Sequence, residues 1–212
     1  MKRAVDFFHR SFALIVCMTF AISSLAQSNP KLNIEVMDRE REIEMALSAA
    51  PEHLRKDATV YALERSGFVK VREGTNGFSC LVNRSATETA PMCYDAEGSQ
   101  TTLKADLRRA ELRAKGKSEQ EVENIISEEY RAKKLLAPRR PGVAYMLSNH
   151  FTRHDHTTGK TTVIFGPHVM FYAPYMKNSD IGALPSHRGS QSQPWILNEG
   201  KPNAYIIVVP KG

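Results

Sequence analysis

The sequence predicts an α+β fold, a mixed or largely antiparallel sheet with helices packed against it. Three observations predict it. Apolar residues recur at helical spacing over 38–50 and 102–134. The period changes to that of strands over 58–82 and again over 143–209. The later strand segments are apolar on both faces, so they need cover on two sides, which helices on a sheet provide.

The elements follow in order. Asp38 can cap a helix that places Ile43, Leu47 and Ala50 on one face and ends at Pro51. Val60–Leu63, Phe68–Val71 and Phe78–Val82 read as short strands, separated by Gly67 and by the turn sequence Gly74-Thr75-Asn76-Gly77. Residues 83–91 read as a loop before a strand over Met92–Asp95. A helix over Thr102–Lys115 carries Leu103, Leu107, Ala110 and Ala114 on one stripe and stops at Gly116. The next opens with Ser118-x-x-Glu121, a capping box in which each side chain satisfies an orphan N–H. Its buried stripe is Val122, Ile125, Ile126 and Tyr130, and the Pro138–Pro141 segment ends the helical run. Val143–Leu147, Val163–Phe165, Val169–Ala173 and Ala204–Val209 complete the sheet. Residues 174–203 form a long connection rich in Pro, Gly and Ser, a length that is uncommon unless functional.

Ahead of this domain, residues 1–26 have the three parts of a cleavable export signal. Lys2, Arg3 and Arg10 give a positive start, Phe12–Ile22 is uncharged and apolar, and Ser24 and Ala26 are the small residues a signal peptidase needs. The apolar run is too short to anchor a chain, since a spanning helix needs about 20 such residues. Residues 27–36 read as a loose leader and 37–212 as a single domain, so a periplasmic or secreted address with no stable membrane anchor is expected. Three of the 29 basic and one of the 23 acidic residues leave with the signal, and the mature net charge is +4. That mild excess has no dense basic patch with interleaved aromatics behind it, which argues against a nucleic-acid partner. Export leaves an even pair of cysteines, Cys80 and Cys93, expected to form one disulfide.

No chemical motif is complete. His150, His154 and His156 are the densest set of metal-ligand types, but Thr157-Thr158-Gly159-Lys160 marks their segment as a solvated hairpin tip, so no metal is expected. Gly159-Lys160-Thr161 lacks the earlier glycine of a phosphate-binding loop, because His154 stands there. His168, just after the Gly166-Pro167 break, shares a strand face with Met170 and Tyr172. It is the leading candidate for a catalytic or binding side chain, with Tyr145 and Tyr172 as neighbours. Trp195 and Tyr175 stand among prolines beside the long connection, where an exposed ring would be able to stack on a sugar. No cofactor is implied. The expected function is a non-catalytic protein that binds a ligand or an envelope partner, with a small hydrolase or metal-dependent enzyme centred on His168 as the alternative.

Several phrases together carry a resemblance: 74–82 (GTNGFSCLV), 91–95 (PMCYD), 140–148 (RPGVAYMLS), 166–172 (GPHVMFY) and 204–210 (AYIIVVP). In this order they resemble a group of uncharacterised secreted bacterial proteins, over roughly residues 43–210. The resemblance implies a bacterial source and an address outside the cytosol, and it carries no activity or site residue with it. The signal reading is checked by expressing the full chain in a bacterium and measuring the mass of the exported form. A chain beginning at Gln27 is expected; one that retains Met1–Ala26 overturns the reading.

Overall fold

The structure is a computed structural model, and it describes residues 36–164 and 166–210. The export signal, all but the last residue of the leader, and Phe165 lie outside them. The described chain runs α1 (Arg39–Ser48), α2 (Glu52–Arg55), β1 (Thr59–Glu64), β2 (Gly67–Arg72), β3 (Ser79–Arg84) and β4 (Glu88–Tyr94). The helices α3 (Ala96–Gln100), α4 (Thr102–Ala114) and α5 (Glu119–Arg131) follow. Then come β5 (Val143–Met146), β6 (Thr152–Asp155), β7 (Lys160–Val163), β8 (His168–Tyr172), β9 (Trp195–Leu197) and β10 (Tyr205–Val208). The main sheet has the order β2-β1-β3-β4-β5-β8-β10-β9, and the β6–β7 hairpin attaches to the start of β4. Among the described strands only β1 and β3 pair in parallel; the other pairs are antiparallel. The fold is α+β.

Capping decides where two of the helices begin. Asp38 accepts from the N–H groups of Glu40 and Arg41 at the head of α1, and the Ser118–Glu121 box forms in full at the head of α5. The Gly74–Gly77 turn is held by two backbone N–H groups, Thr75 and Asn76, which donate to the Asp57 carbonyl. A side chain at position 74 would collide with the backbone of 57–59, so glycine is required there.

The two faces of the sheet bury different things. On one, Ala46, Ala49 and Ala50 bring α1 close to Val60, Cys80, Val82 and Cys93. Here Cys80 and Cys93 are directly opposed on β3 and β4 and form the disulfide. On the other face Leu81, Met92, Tyr94, Met146, Met170 and Ile207 make the larger core, with Leu103 of α4 against it. A third cluster joins α4 to α5 through Ala105, Leu112, Val122 and Ile126.

The structure corrects three expectations. Residues 83–91 are not a loop: β3 extends to Arg84 and β4 begins at Glu88, leaving a three-residue connection. Pro91 is tolerated in this pairing for a geometric reason. The Cα separation of 4.0 Å at Cys80/Cys93 marks a non-hydrogen-bonded pair, and alternation makes Val82/Pro91 another. The nitrogen of Pro91 therefore points away from β3, into the gap between the stretches where β4 meets β6 and β5. Next, the strand expected over Val163–Phe165 is instead β7, part of an outlying hairpin, and Val163 is 57% exposed. Finally, the two-face cover expected for the C-terminal strands is incomplete. α1 lies over β1, β3 and β4 but does not reach β8 and β10, where Phe171 and Val208 are 45% and 39% exposed.

One charged pair crosses the α1 face. Glu42, 1% exposed, takes Arg84 Nη2 at 2.5 Å and also accepts from the N–H of Leu63. Removing one partner from such a pair leaves a buried charge alone. Glu42→Leu is expected to lower the unfolding free energy by about 3 kcal/mol or more, and adding Arg84→Met to return most of the loss. Urea unfolding of the single and double variants measures both; a double variant no more stable than the single one contradicts it.

Candidate ligand-binding cleft

The polar face of α4 builds the site. Thr102, Asp106, Arg109 and Arg113 follow one another by 4, 3 and 4 residues, which stacks them on one side of the helix. Asp106 takes a short hydrogen bond from the Tyr94 hydroxyl on β4. Arg109 Nη1 reaches Asp106 at 3.2 Å, and its Nε donates to Glu123 of α5 at 2.8 Å. Thus one chain of hydrogen bonds runs from sheet to α4 to α5. Beneath α4 lies a cleft of about 430 Å³. Met92, Met146 and Met170 line its floor with Tyr94, Phe151 and Tyr205. Such a volume and lining suit a small organic ligand, and methionine adapts to the shape of what it meets.

Burial and charge fix the protonation states. Burial, reinforced by the nearby Asp106 carboxylate, raises the Tyr94 and Tyr205 hydroxyls well above their ordinary pKa. Burial opposes the charge on Arg109, but Asp106 and Glu123 outweigh it and raise its pKa. Burial likewise acts against Glu123, and its bond to Arg109 overcomes this and holds its pKa low. At neutral pH the tyrosines are donors and the ions are paired. Two groups in this cleft keep capacity to spare. The Thr102 and Tyr205 hydroxyls feel one another, yet among the described residues neither makes a hydrogen bond of ordinary geometry, although both are buried.

A second cavity of about 270 Å³ continues from the first, sharing Arg109, Glu123, Lys201 and Asn203 with it. Tyr130 and Tyr175 line its far side. The Tyr130 hydroxyl is buried without a hydrogen-bond partner among the described residues, and burial pushes its pKa up to about 12. Tyr175 is the third residue of a turn that Met176 N–H closes on the Ala173 carbonyl at 3.1 Å, with Pro174 second. Its φ is 65°, in the left-handed region where glycine or asparagine is the ordinary choice. A bulky residue there costs about 1 kcal/mol or more.

The residues singled out by sequence are dispersed. His168 is 1% exposed, with Nδ1–H donating to the Gly166 carbonyl at 3.0 Å and the Phe151 ring 5.9 Å away. Tyr172 shares its face, but its hydroxyl bonds Asp95 and the Val143 carbonyl, each at 3.1 Å, and Gly98 and Gly142 wall it in. Tyr145 points to the opposite face and stacks on Phe78. His150 is exposed in a turn. His154 bonds the Thr161 hydroxyl and His156 the Ala86 carbonyl, with their rings 4.8 Å apart. Among the described residues no group of three or more His, Cys, Asp or Glu side chains is placed to hold a metal ion. Trp195 is a core residue, 4% exposed, whereas Tyr175 is 61% exposed. Sequence reasoning read the apolar stripe of α4 and missed the polar one beside it. The signal was present, because a second set of residues on the same helix repeats at 4, 3 and 4.

No family model, curated protein or solved structure matches the chain.

Burial lowers the His168 pKa from 6.5 to about 4, against the Gly166 bond, which favours the charged ring. Between those two values the unfolded chain binds more protons than the folded one, so stability rises with pH. The contribution is complete above about pH 6.5 and is lost as pH falls towards 4, about 3 kcal/mol in all. In His168→Gln this part of the pH dependence is expected to vanish. Urea midpoints at several pH values from 7 down to 4 report it, and equal slopes in both proteins would remove His168 as the cause.

Proposed function

We propose that this chain is an exported, non-catalytic protein that holds a ligand or a piece of an envelope partner in the cleft beneath α4. One observation carries the reading. Among the described residues, Thr102 and Tyr205 keep buried hydroxyls that make no hydrogen bond of ordinary geometry, and they line a methionine-rich cavity of about 430 Å³. A buried polar atom left unpaired costs about 1–3 kcal/mol, and a bound ligand is what would recover it. The state of the neighbouring groups supports binding over chemistry. The tyrosine hydroxyls are held protonated, and Asp106, Arg109 and Glu123 spend their hydrogen bonds on one another. Export is supported by the disulfide and by the lack of a helix long and apolar enough to cross a membrane among the described residues.

Two measurements test the reading. Thr102→Val with Tyr205→Phe removes the two hydroxyls, and the unliganded protein is expected to be as stable as before or up to about 1 kcal/mol more so. A loss greater than that would show the hydroxyls already spent within the fold. In the second, the dye 1-anilinonaphthalene-8-sulfonate is titrated into the folded protein. One saturable site is expected, and Ala90→Trp, which fills the cleft from β4, abolishes it without unfolding the chain. No saturable site, or one untouched by this substitution, sinks the proposal.

A further inference from the structure

We propose that the second cavity is a saccharide subsite and that Tyr175 is the platform on which a sugar ring stacks. The inference rests on the reading of the cleft as a binding site and names the chemistry of its outer end.

Tyr175 occupies a backbone conformation that a tyrosine disfavours. The third position of the Ala173–Met176 turn, with φ at 65°, is ordinarily filled by glycine or asparagine. Tyrosine strains the backbone there, and burial of its ring does not offset that strain, because the side chain is 61% exposed. The position is nevertheless held firmly: Tyr175 N–H donates to the Lys201 carbonyl at 2.9 Å, and Gly200 N–H to the Met176 carbonyl at 2.8 Å. The backbone that carries the Tyr175 ring is thereby fixed at the edge of a cavity the ring lines. Strained residues of this kind collect at ligand sites.

The lining of that cavity selects the ligand. Arg109 is spent on Asp106 and Glu123, but Glu123 keeps further acceptor capacity on its carboxylate and Asn203 offers both a donor and an acceptor, the planar groups that adjacent hydroxyls on a sugar pair with. Asp106 and Glu123 balance Arg109 and Lys201, and Arg131, the remaining cation on the second cavity, is paired with Glu128, so the ionic groups around the junction leave no net charge to offer an ion. Lys201 makes no ion pair among the described residues but lies near enough to Glu123 to act on its charge. The Tyr130 hydroxyl is buried and has no hydrogen-bond partner among the described residues. Donors and acceptors thus stand together in balance, as suits a neutral ligand whose every hydroxyl both gives and takes a hydrogen bond. The C–H face of a pyranose ring completes the match by lying flat on an aromatic ring. A substituent on that sugar would continue into the methionine-lined inner cavity.

The test uses the full exported chain with its disulfide intact and two probes, triacetylchitotriose and maltotriose, followed by calorimetry and by saturation-transfer NMR. Saturable binding of at least one is expected, with Tyr175 the residue nearest the sugar protons. Tyr175→Asn suits the left-handed turn, so its melting temperature is expected to equal or exceed that of the parent while affinity falls about tenfold. Tyr175→Phe keeps the ring and is expected to bind within about threefold of the parent. Affinity unchanged in Tyr175→Asn would overturn the platform. If neither trisaccharide binds at about 10 mM while the dye still saturates the inner cavity, the saccharide assignment fails and the cleft reading stands. If dye and sugars both fail, the two fall together.

Discussion

The hydrogen-bonded chain from Tyr94 through Asp106 and Arg109 to Glu123 is the constraint on which the cleft depends. It is the polar tie between the sheet and the two helices above it. Asp106 and Arg109 are both nearly buried, and neither charge would be tolerable there without the other. The pair therefore sets the orientation of α4 over the sheet, while Glu123 on Arg109, with Glu119 on Arg113 and Glu129 on Arg108, sets α5 against α4. Apolar packing of Ala105 and Leu112 on Val122 and Ile126 supplies the bulk attraction between the helices. The charged chain supplies direction, which non-directional burial does not.

Within this frame the fold treats its polar groups unequally. The Tyr172 hydroxyl is fully engaged by Asp95 and Val143 and enclosed by two glycines, and Asp95 also accepts from the N–H groups of Gly98 and Val143. That arrangement fixes the turn from β4 into α3 against the start of β5. Nearby, the Thr102 and Tyr205 hydroxyls make no hydrogen bond of ordinary geometry among the described residues, and beyond them Tyr175 sits in a conformation that favours glycine. Unsatisfied atoms and a strained turn are both departures from local optimum, and they face the same pair of connected cavities. Natural folds confine such departures to the places where something else must fit.

Much of the architecture was legible because it rests on local signals. The Ser118–Glu121 box, the Asp38 cap and the Asn76-Gly77 turn each act within a few residues, and each formed as its chemistry dictates. Residues 83–91 misled because Asn83, Arg84 and Ser85, with Pro91 a few residues on, look like a loop. Only the register of β3 on β4 reveals that Pro91 loses nothing by lacking an N–H. β9 was invisible for a similar reason: three residues inside a long connection become a strand only because β10 lies alongside. The cleft was least legible of all. Its members come from β3, β4, β5, β8, β9, β10, two helices and the connecting loops, whereas the histidines stand out in the sequence by what they can do rather than by where they are. His168 proved to be a neutral core residue. Arg109, which carries the site's geometry, looked like one more charge on a solvated helix face.

The Cys80–Cys93 bond lies on the face of the sheet away from the cleft, yet it bears on the cleft's assembly. A strand that slips by one residue turns every side chain to the other side. In such a slip Met92 and Tyr94 would leave the cleft, and Asp106 would lose the hydroxyl that anchors it. The two cysteines are directly opposed in the native register, so oxidation records the correct alignment of β3 with β4 and locks it. The disulfide thus serves as a proofreading step in folding: once closed, it removes the slipped pairings from the ensemble and leaves the binding face the right way up.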